Sequence, residues 1–240
     1  MIELIKGDNL PFMATCKDKQ FDLAVVDPPY GLGFGNFNRT NKSDTGVRMK
    51  ANRYKNSDWD AGVPMDLYFT ELFRISKNQI IWGGNYFIQV AKIESPNLKT
   101  KQEFIKYINR SESKWIFWYK QNPVPNFADG ELAWISFNES SEYDYMYYGN
   151  INSESDRCHP TQKPVQLYKW LLKNYAKPGD TILNTHLGSG SSVIACIDGG
   201  FDFTGIELDS DYFEAMVKRV KNHVKQLDLF IERPEIKIIR

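Results

Sequence analysis

The sequence predicts an α/β fold, and three observations carry that expectation. Short apolar runs alternate with longer mixed segments along the chain, as strands joined by helices do. The clearest run, Phe21-Asp22-Leu23-Ala24-Val25-Val26, stops at Asp27-Pro28-Pro29, and two successive prolines cannot continue a hydrogen-bonded ladder. Nearer the C-terminal end, a Gly/Ser stretch separates an apolar run from a helical pattern. With 240 residues, 42% of them hydrophobic, the chain suffices for one large domain with a substantial core.

The remaining elements follow in order. Asn78-Gln79-Ile80-Ile81-Trp82 is the next expected strand, stopped by Gly83-Gly84. Residues 114–119 and 131–137 read as an antiparallel pair around a turn at 123–130. A helical run spans Val165 to Tyr175. Thr181-Ile182-Leu183 leads through the Gly/Ser loop into a helix reaching Ala195, which Gly199-Gly200 ends. Phe203-Thr204-Gly205-Ile206 forms another strand, ending at Glu207. Asp209 or Ser210 can cap a last helix running through Val220 towards Lys225. No repeat or linker divides the chain, so residues 1–225 read as a single domain and 226–240 as a tail. Residues 31–60 and 138–156 read as irregular, and long loops in compact domains are usually functional or disordered.

The bulk numbers exclude little. Net charge is zero, which argues neither for nor against nucleic acid, since a binding face needs only a local excess of cations. Cys16, Cys158 and Cys196 show neither metal spacing nor even pairing; they read as free thiols in a reducing cytosol, and no metal site is expected. The opening MIELIKGDNL lacks the features of a signal peptide, and no apolar run reaches membrane-spanning length. A soluble cytoplasmic protein is expected.

Three motifs carry chemistry. Asp27-Pro28-Pro29-Tyr30 stands at the carboxyl end of a strand, where open α/β sheets bind ligands. An aromatic amine is a poor nucleophile because its lone pair is delocalised into the ring. A carboxylate from Asp27 and the Pro28 carbonyl, each accepting one amino hydrogen, would favour a more pyramidal and more nucleophilic nitrogen. Pro29 helps to fix that carbonyl, and Tyr30 offers a ring for an extruded base. The plainer reading is a strand-ending turn with a buried tyrosine. In Leu187-Gly188-Ser189-Gly190-Ser191-Ser192, glycines allow close approach of backbone to a ligand at a helix N-terminus. Glu207 follows at about the 20-residue offset at which an acid grips ribose hydroxyls. Val193 stands where a dinucleotide fingerprint has its third glycine, which disfavours a pyrophosphate and leaves an adenosine-containing ligand such as S-adenosylmethionine. The third motif, His159-Pro160-Thr161-Gln162-Lys163-Pro164, is a proline-bounded turn before a helix. Thr161 and Lys163 could meet a carboxylate there, while His159 alone reads more readily as structural.

Together the three motifs resemble the amino methyltransferases that modify adenine N6 or cytosine N4 in DNA, in the permuted order of their β group: catalytic tetrapeptide first, cofactor loop last. The resemblance runs from Gly7-Asp8-Asn9-Leu10 to about Arg219. It implies an S-adenosylmethionine-dependent methyltransferase fold, a doubly wound, mostly parallel seven-stranded sheet with an antiparallel hairpin. It implies base flipping onto Tyr30, with Asp8 near the cofactor adenine and Glu207 on its ribose. Gly188 and Gly190 would flank the methionine moiety, with Thr161 and Lys163 near its carboxylate, and Asn9, His186, Ser189 and Ser191 would also bind the cofactor. One departure stands out: the family's loop usually opens Asp-Pro-Phe, whereas Asn184-Thr185-His186 stands here. No large insertion separates Phe137 from His159, so recognition of DNA falls to residues 31–60, helped by 92–110. The first of these carries Arg39, Lys42, Arg48, Lys50, Arg53 and Lys55 against Asp44, Asp58 and Asp60.

Adenine is the expected base, because resembling cytosine enzymes more often open the tetrapeptide with Ser. The alternatives are a cytosine-N4 enzyme, or a non-catalytic DNA-binding protein on the same fold. Finally, Gln226-Leu227-Asp228-Leu229-Phe230 resembles the peptide by which bacterial proteins dock on the DNA sliding clamp; it reads more readily as a helix end packed on the core.

Overall fold

In β2 (Phe21–Val26), Leu23 and Val25 enter one apolar cluster while Ala24 and Val26 enter another. A strand buried on both faces must lie inside a sheet that is covered on both sides, and β2 does. The computed structural model describes residues 1–31, 62–87, 114–120, 130–137, 141–144, 157–226 and 234–240. Within them the elements are β1 (Ile2–Lys6), α1 (Asn9–Thr15), β2, α2 (Asp66–Ile75), β3 (Ser76–Trp82), β4 (Trp115–Tyr119), β5 (Gly130–Ile135), β6 (Ser141–Asp144), α3 (Val165–Tyr175), β7 (Thr181–Asn184), α4 (Ser191–Gly199), β8 (Asp202–Glu207), α5 (Ser210–Lys225) and β9 (Ile236–Ile239).

One sheet runs in the order β6-β4-β5-β3-β2-β7-β8-β1-β9. Every neighbouring pair is parallel except those that β5 makes with β3 and β4. The expected doubly wound, mostly parallel sheet with its hairpin is present. It is wider than the seven strands expected, because β6 and β9 extend its edges. The stretch 138–156, read as irregular, contains β6; its four residues are too few for a periodic signal. Residues 236–239, set apart in the sequence as a tail, return to the sheet against β1, with Ile236 and Ile238 packed on the core.

Helices cover both faces. Tyr68, Phe69, Leu72 and Ile75 of α2 recur at helical spacing and join Met13 of α1 in one cluster. Leu167, Tyr168, Leu171 and Leu172 of α3, with Val193 of α4 and Phe213 and Met216 of α5, close the other face. Of the anticipated caps, Asp209 accepts from Asp211 N and Tyr212 N at the start of α5, and Asp8 accepts from Leu10 N at the start of α1.

The winding sets where ligands can bind. From β2 the chain moves outward through α2 to β3, whereas from β7 it moves the other way through α4 to β8. The carboxyl ends of β2 and β7 therefore flank the switch point, the crevice that open sheets use for ligands. The antiparallel β5 adds its starting end to the same side, since Trp82 at the end of β3 pairs with Ala133.

Of the pentapeptide resembling a clamp-docking motif, Gln226 ends α5 and is exposed, while residues 227–230 lie outside the described residues. The segment connects α5 to β9, so it is tethered at both ends. No described helix is long and apolar enough to cross a membrane. Deleting residues 234–240 should lower the unfolding temperature by several degrees, because about 1 kcal/mol corresponds to roughly 2–4 °C in a domain of this size. Calorimetry showing no change would mean that β9 adds nothing to the sheet.

Candidate active site

The carboxyl end of β2 delivers Asp27 into the crevice, one-fifth exposed. Its Oδ1 accepts the Tyr30 hydroxyl at 2.6 Å and its Oδ2 accepts Lys163 Nζ at 2.6 Å. Pro28 is buried behind it. The turn is thus more than a strand stop, because it holds a carboxylate with both oxygens fixed. The Tyr30 ring, expected to lie open for a base, is partly covered instead. It stacks on Tyr86 at 5.0 Å with 20° between the planes. It also lies so close to Gly83 that a Cβ there would fall 2.1 Å from the ring. Gly83 has φ of 68°, so glycine is required twice over, by conformation and by space. Tyr86 is 47% exposed and forms the outer ring of the stack.

Lys163, expected near the methionine carboxylate, meets the Asp27 turn. Its ammonium lies between Asp27 and Glu131 Oε2, the latter at 3.0 Å, with the lysine only 6% exposed. Burial alone would lower its pKa, but the two carboxylates outweigh that and raise it. Glu131, at the start of β5, also binds Lys120 at 2.5 Å. Burial would raise the Glu131 carboxyl, yet Lys163 and Lys120 hold it at about 2. Thr161 of the same motif is exposed, and its backbone and hydroxyl meet His159 Nδ1.

On the far side of the crevice stands the Gly/Ser loop. Gly190 has φ of 75°, and a Cβ on it would meet Met216 at 2.4 Å. Gly188 faces the His159 ring with room for ordinary contact. Ser189 and Ser191, expected at the cofactor, are buried; their hydroxyls meet each other at 3.2 Å. Arg219 of α5 reaches Ser189 O at 3.1 Å and Ser191 Oγ at 2.9 Å. The serines therefore shape the loop from inside. The altered opening of the loop is well satisfied: Asn184 Oδ1 accepts His186 N, and Asn184 Nδ2 donates to Ser192 Oγ. Asn9 Nδ2 lies 3.2 Å from His186 Nε2, His186 Nδ1 meets Thr185 Oγ1, and Thr185 Oγ1 meets Tyr68 OH. Asn9 is thus beside His186, and Asp8 lies exposed at the end of β1.

Glu207 ends β8, next to β7. Its Oε2 accepts Gly188 N at 2.8 Å and its Oε1 accepts Asp209 N at 2.9 Å. Burial raises this carboxyl, opposed by those backbone donors. A carboxylate has about four acceptor sites, so it retains capacity beyond its backbone donors, which suits a ribose hydroxyl. The donor set therefore fits an adenosine-containing ligand. Among the described residues no His/Cys/Asp/Glu cluster could hold a metal. The six basic residues from Arg39 to Lys55, and residues 92–110, lie outside the described residues.

Sequence reasoning missed four groups here. Arg219 could have been noticed as a cation on the apolar face of α5, seven residues from Tyr212 and three from Met216. Tyr86 follows the Gly83-Gly84 stop. Glu131 and Lys120 carried no local signal, because only strand pairing brings them to Asp27.

Residues 21–218, which include the Asp27 turn, the Gly/Ser loop and Glu207, match the N6/N4 DNA methylase family. The chain belongs to this DNA methylase family. The methylase is 24% identical over 250 residues to Type II methyltransferase M2.DpnII of Streptococcus pneumoniae, covering 91% of this chain and 89% of that protein. It is 24% identical over 278 residues to Type II methyltransferase M.HinfI of Haemophilus influenzae, covering 97% and 74%. Among solved structures, the M1.HpyAVI–SAM complex superposes with a TM-score of 0.58 at 17% identity, covering 92% of this chain and 99% of that one. The cytosine-N4-specific PvuII DNA methyltransferase gives 0.55 at 12% identity, covering 96% and 88%. The methylase thus shares the fold of those enzymes.

Two histidines, His159 buried and His186 half-buried, give the site a pH signature. Burial pushes His159 and His186 from the usual 6.5 to about 3, and Arg157 and Lys163 add to the effect at His159. Between about pH 6.5 and 3 the unfolded chain binds protons that the folded chain refuses, so stability falls as pH drops through that window. Urea midpoints should be lower at pH 5 than at pH 7, with a shallower fall in His186→Gln. Equal slopes in the variant and the parent would show that His186 is not held neutral.

Proposed function

We propose that this DNA methylase transfers a methyl group from S-adenosylmethionine to the N6 amino group of adenine in DNA. The observation that carries the reading is the fixed Asp27 carboxylate, which shares the switch-point crevice with the Gly/Ser loop and Glu207. S-adenosylmethionine, when bound, supplies a methyl group on a sulfonium whose departure leaves a neutral thioether, so no metal is needed. Glu207 would bind its ribose, Asp8 and Asn9 would lie near its adenine, and Gly188 and Gly190 would let the loop approach it closely.

Asp27 and the Pro28 carbonyl would accept the two amino hydrogens and turn the nitrogen lone pair towards the methyl carbon. As the N–C bond forms and the S–C bond breaks, the nitrogen loses one proton, and Asp27 is placed to accept it. Tyr30 and Tyr86 would wall the pocket for the flipped base, with Tyr86 at its rim. Positioning and electrostatics would supply most of the rate. The cations Arg39, Lys42, Arg48, Lys50, Arg53 and Lys55 follow Tyr30 in sequence and would contact DNA phosphates. The Type II names of the relatives favour a role in restriction–modification.

Cytosine N4 is the second reading, favoured by the fold shared with the cytosine-specific PvuII enzyme; the opening Asp27 favours adenine. A non-catalytic protein is disfavoured because the altered loop at Asn184 keeps its polar groups paired.

Methyl-labelled S-adenosylmethionine should pass label to unmethylated genomic DNA. Asp27→Asn should lose at least about 100-fold of that rate and keep its cofactor affinity by calorimetry. A variant that still transfers label at the parent rate would remove Asp27 from the chemistry. DNA affinity should fall steeply with salt, by roughly 10³-fold or more between 50 and 200 mM if about six phosphates are neutralised. A flat response would exclude the 31–60 segment from the interface.

A further inference from the structure

Four charged groups form a line from the site to the hairpin: the Asp27 carboxylate, the Lys163 ammonium, the Glu131 carboxylate and the Lys120 ammonium. Lys163 directs its hydrogen bonds to Asp27 Oδ2 at 2.6 Å and to Tyr30 OH at 3.4 Å. Towards Glu131 it makes an ion pair of 3.0 Å, and Glu131 Oε2 is cut off from solvent. The Trp82 ring lies 5.2 Å from the ammonium. Glu131 therefore acts on Lys163 through charge, at a place where water screens little.

A lysine paired with Asp27 alone would close on that carboxylate and compete with any amino group for its oxygens. Shared between two carboxylates, the same lysine is attracted from both sides. We propose that Glu131 is a positioning residue that draws on the Lys163 ammonium and so sets how strongly this cation holds Asp27. Lys120 tunes the pull from outside by satisfying the other Glu131 oxygen. The chain Lys120–Glu131–Lys163 thereby determines how ready Asp27 is to accept an amino hydrogen, and this role in turnover rests on the methyl-transfer reading above.

Neighbouring substitutions on this line then act with opposite signs. Lys163→Met removes the cation beside Asp27, so its carboxylate should titrate at higher pH than in the parent. Glu131→Gln leaves Lys163 to Asp27 alone, so the carboxylate should titrate at lower pH. Lys120→Met strengthens the hold of Glu131 on Lys163, and Asp27 should again move up, by less than in Lys163→Met. The other ionisable groups facing this line are Tyr30, Tyr68, Tyr168 and His159. Burial raises the three tyrosines, which stay neutral through the carboxylate range, and lowers His159 to about 3, so the histidine is followed by its own ring signals in the same titration.

The experiment is a carbon-13 carboxyl NMR titration of full-length protein, with the Asp27 signal assigned by its loss in Asp27→Asn. It is run on the parent and the three variants, and Glu131→Asp is included as the conservative change. Expected are the three directions above, a return towards the parent in Glu131→Asp, and a kcat in Glu131→Gln lowered by about 10- to 100-fold with KM for S-adenosylmethionine unchanged. An Asp27 midpoint in Glu131→Gln that is unmoved or higher overturns the proposal, as does movement of all variants in one direction. If Glu131→Gln does not fold, Lys120→Met and Glu131→Asp decide by the same signs. Because the titration needs no turnover, correct signs without methyl transfer by the parent would refute the functional reading and keep the positioning role. Methyl transfer with wrong signs would do the reverse.

Discussion

A buried ammonium must be matched by negative charge, and in this protein Lys163 is matched twice, by Asp27 and by Glu131. Breaking a buried ion pair by removing one partner is strongly destabilising, because the other charge stays uncompensated. The arrangement therefore ties the end of β2, the start of β5 and the turn before α3 into one unit. Asp27 gains a fixed direction from this, with Tyr30 holding its other oxygen. The Asp27 carboxylate is part of a structural constraint, which explains how a side chain at the mouth of a crevice keeps one orientation.

The sheet assembles the rest of the site. Parallel strands wound in two directions leave the ends of β2 and β7 at the switch point, with β8 and β1 beside them. Asp27, Asn184, Glu207 and Asp8 each follow or end one of these strands, so one topological rule gathers residues from both halves of the chain. Clusters on both faces, built on Leu23 and Val25 or on Ala24 and Val26, hold the strands in register. Arg219 then supports the Gly/Ser loop from α5.

Legibility in the sequence followed the range of the interaction. The Asp27 turn, the glycines and Glu207 were readable because each is a local event: a strand stopped by prolines, a loop before a helix, an acid at a strand end. Glu131 was not, since a glutamate at the edge of an apolar run reads as solvent-facing until β5 pairs antiparallel with β3 and carries it to Lys163. Lys163 was placed near a cofactor carboxylate because its motif precedes a helix, and no local feature indicated that Asp27 lay within its reach. Tyr30 read as an open platform because Tyr86 lies far along the chain. The short strands β6 and β9 escaped notice because four residues cannot establish a period, and α2 because Met65 before it offers no capping side chain.

The central claim is that the amino group of adenine in DNA is the acceptor. Mass spectrometry of nucleosides from DNA incubated with the protein and S-adenosylmethionine tests it most directly. The account predicts N6-methyladenine as the product. N4-methylcytosine would contradict the choice of base while keeping the chemistry, and DNA returned without any methylated base would contradict the claim itself.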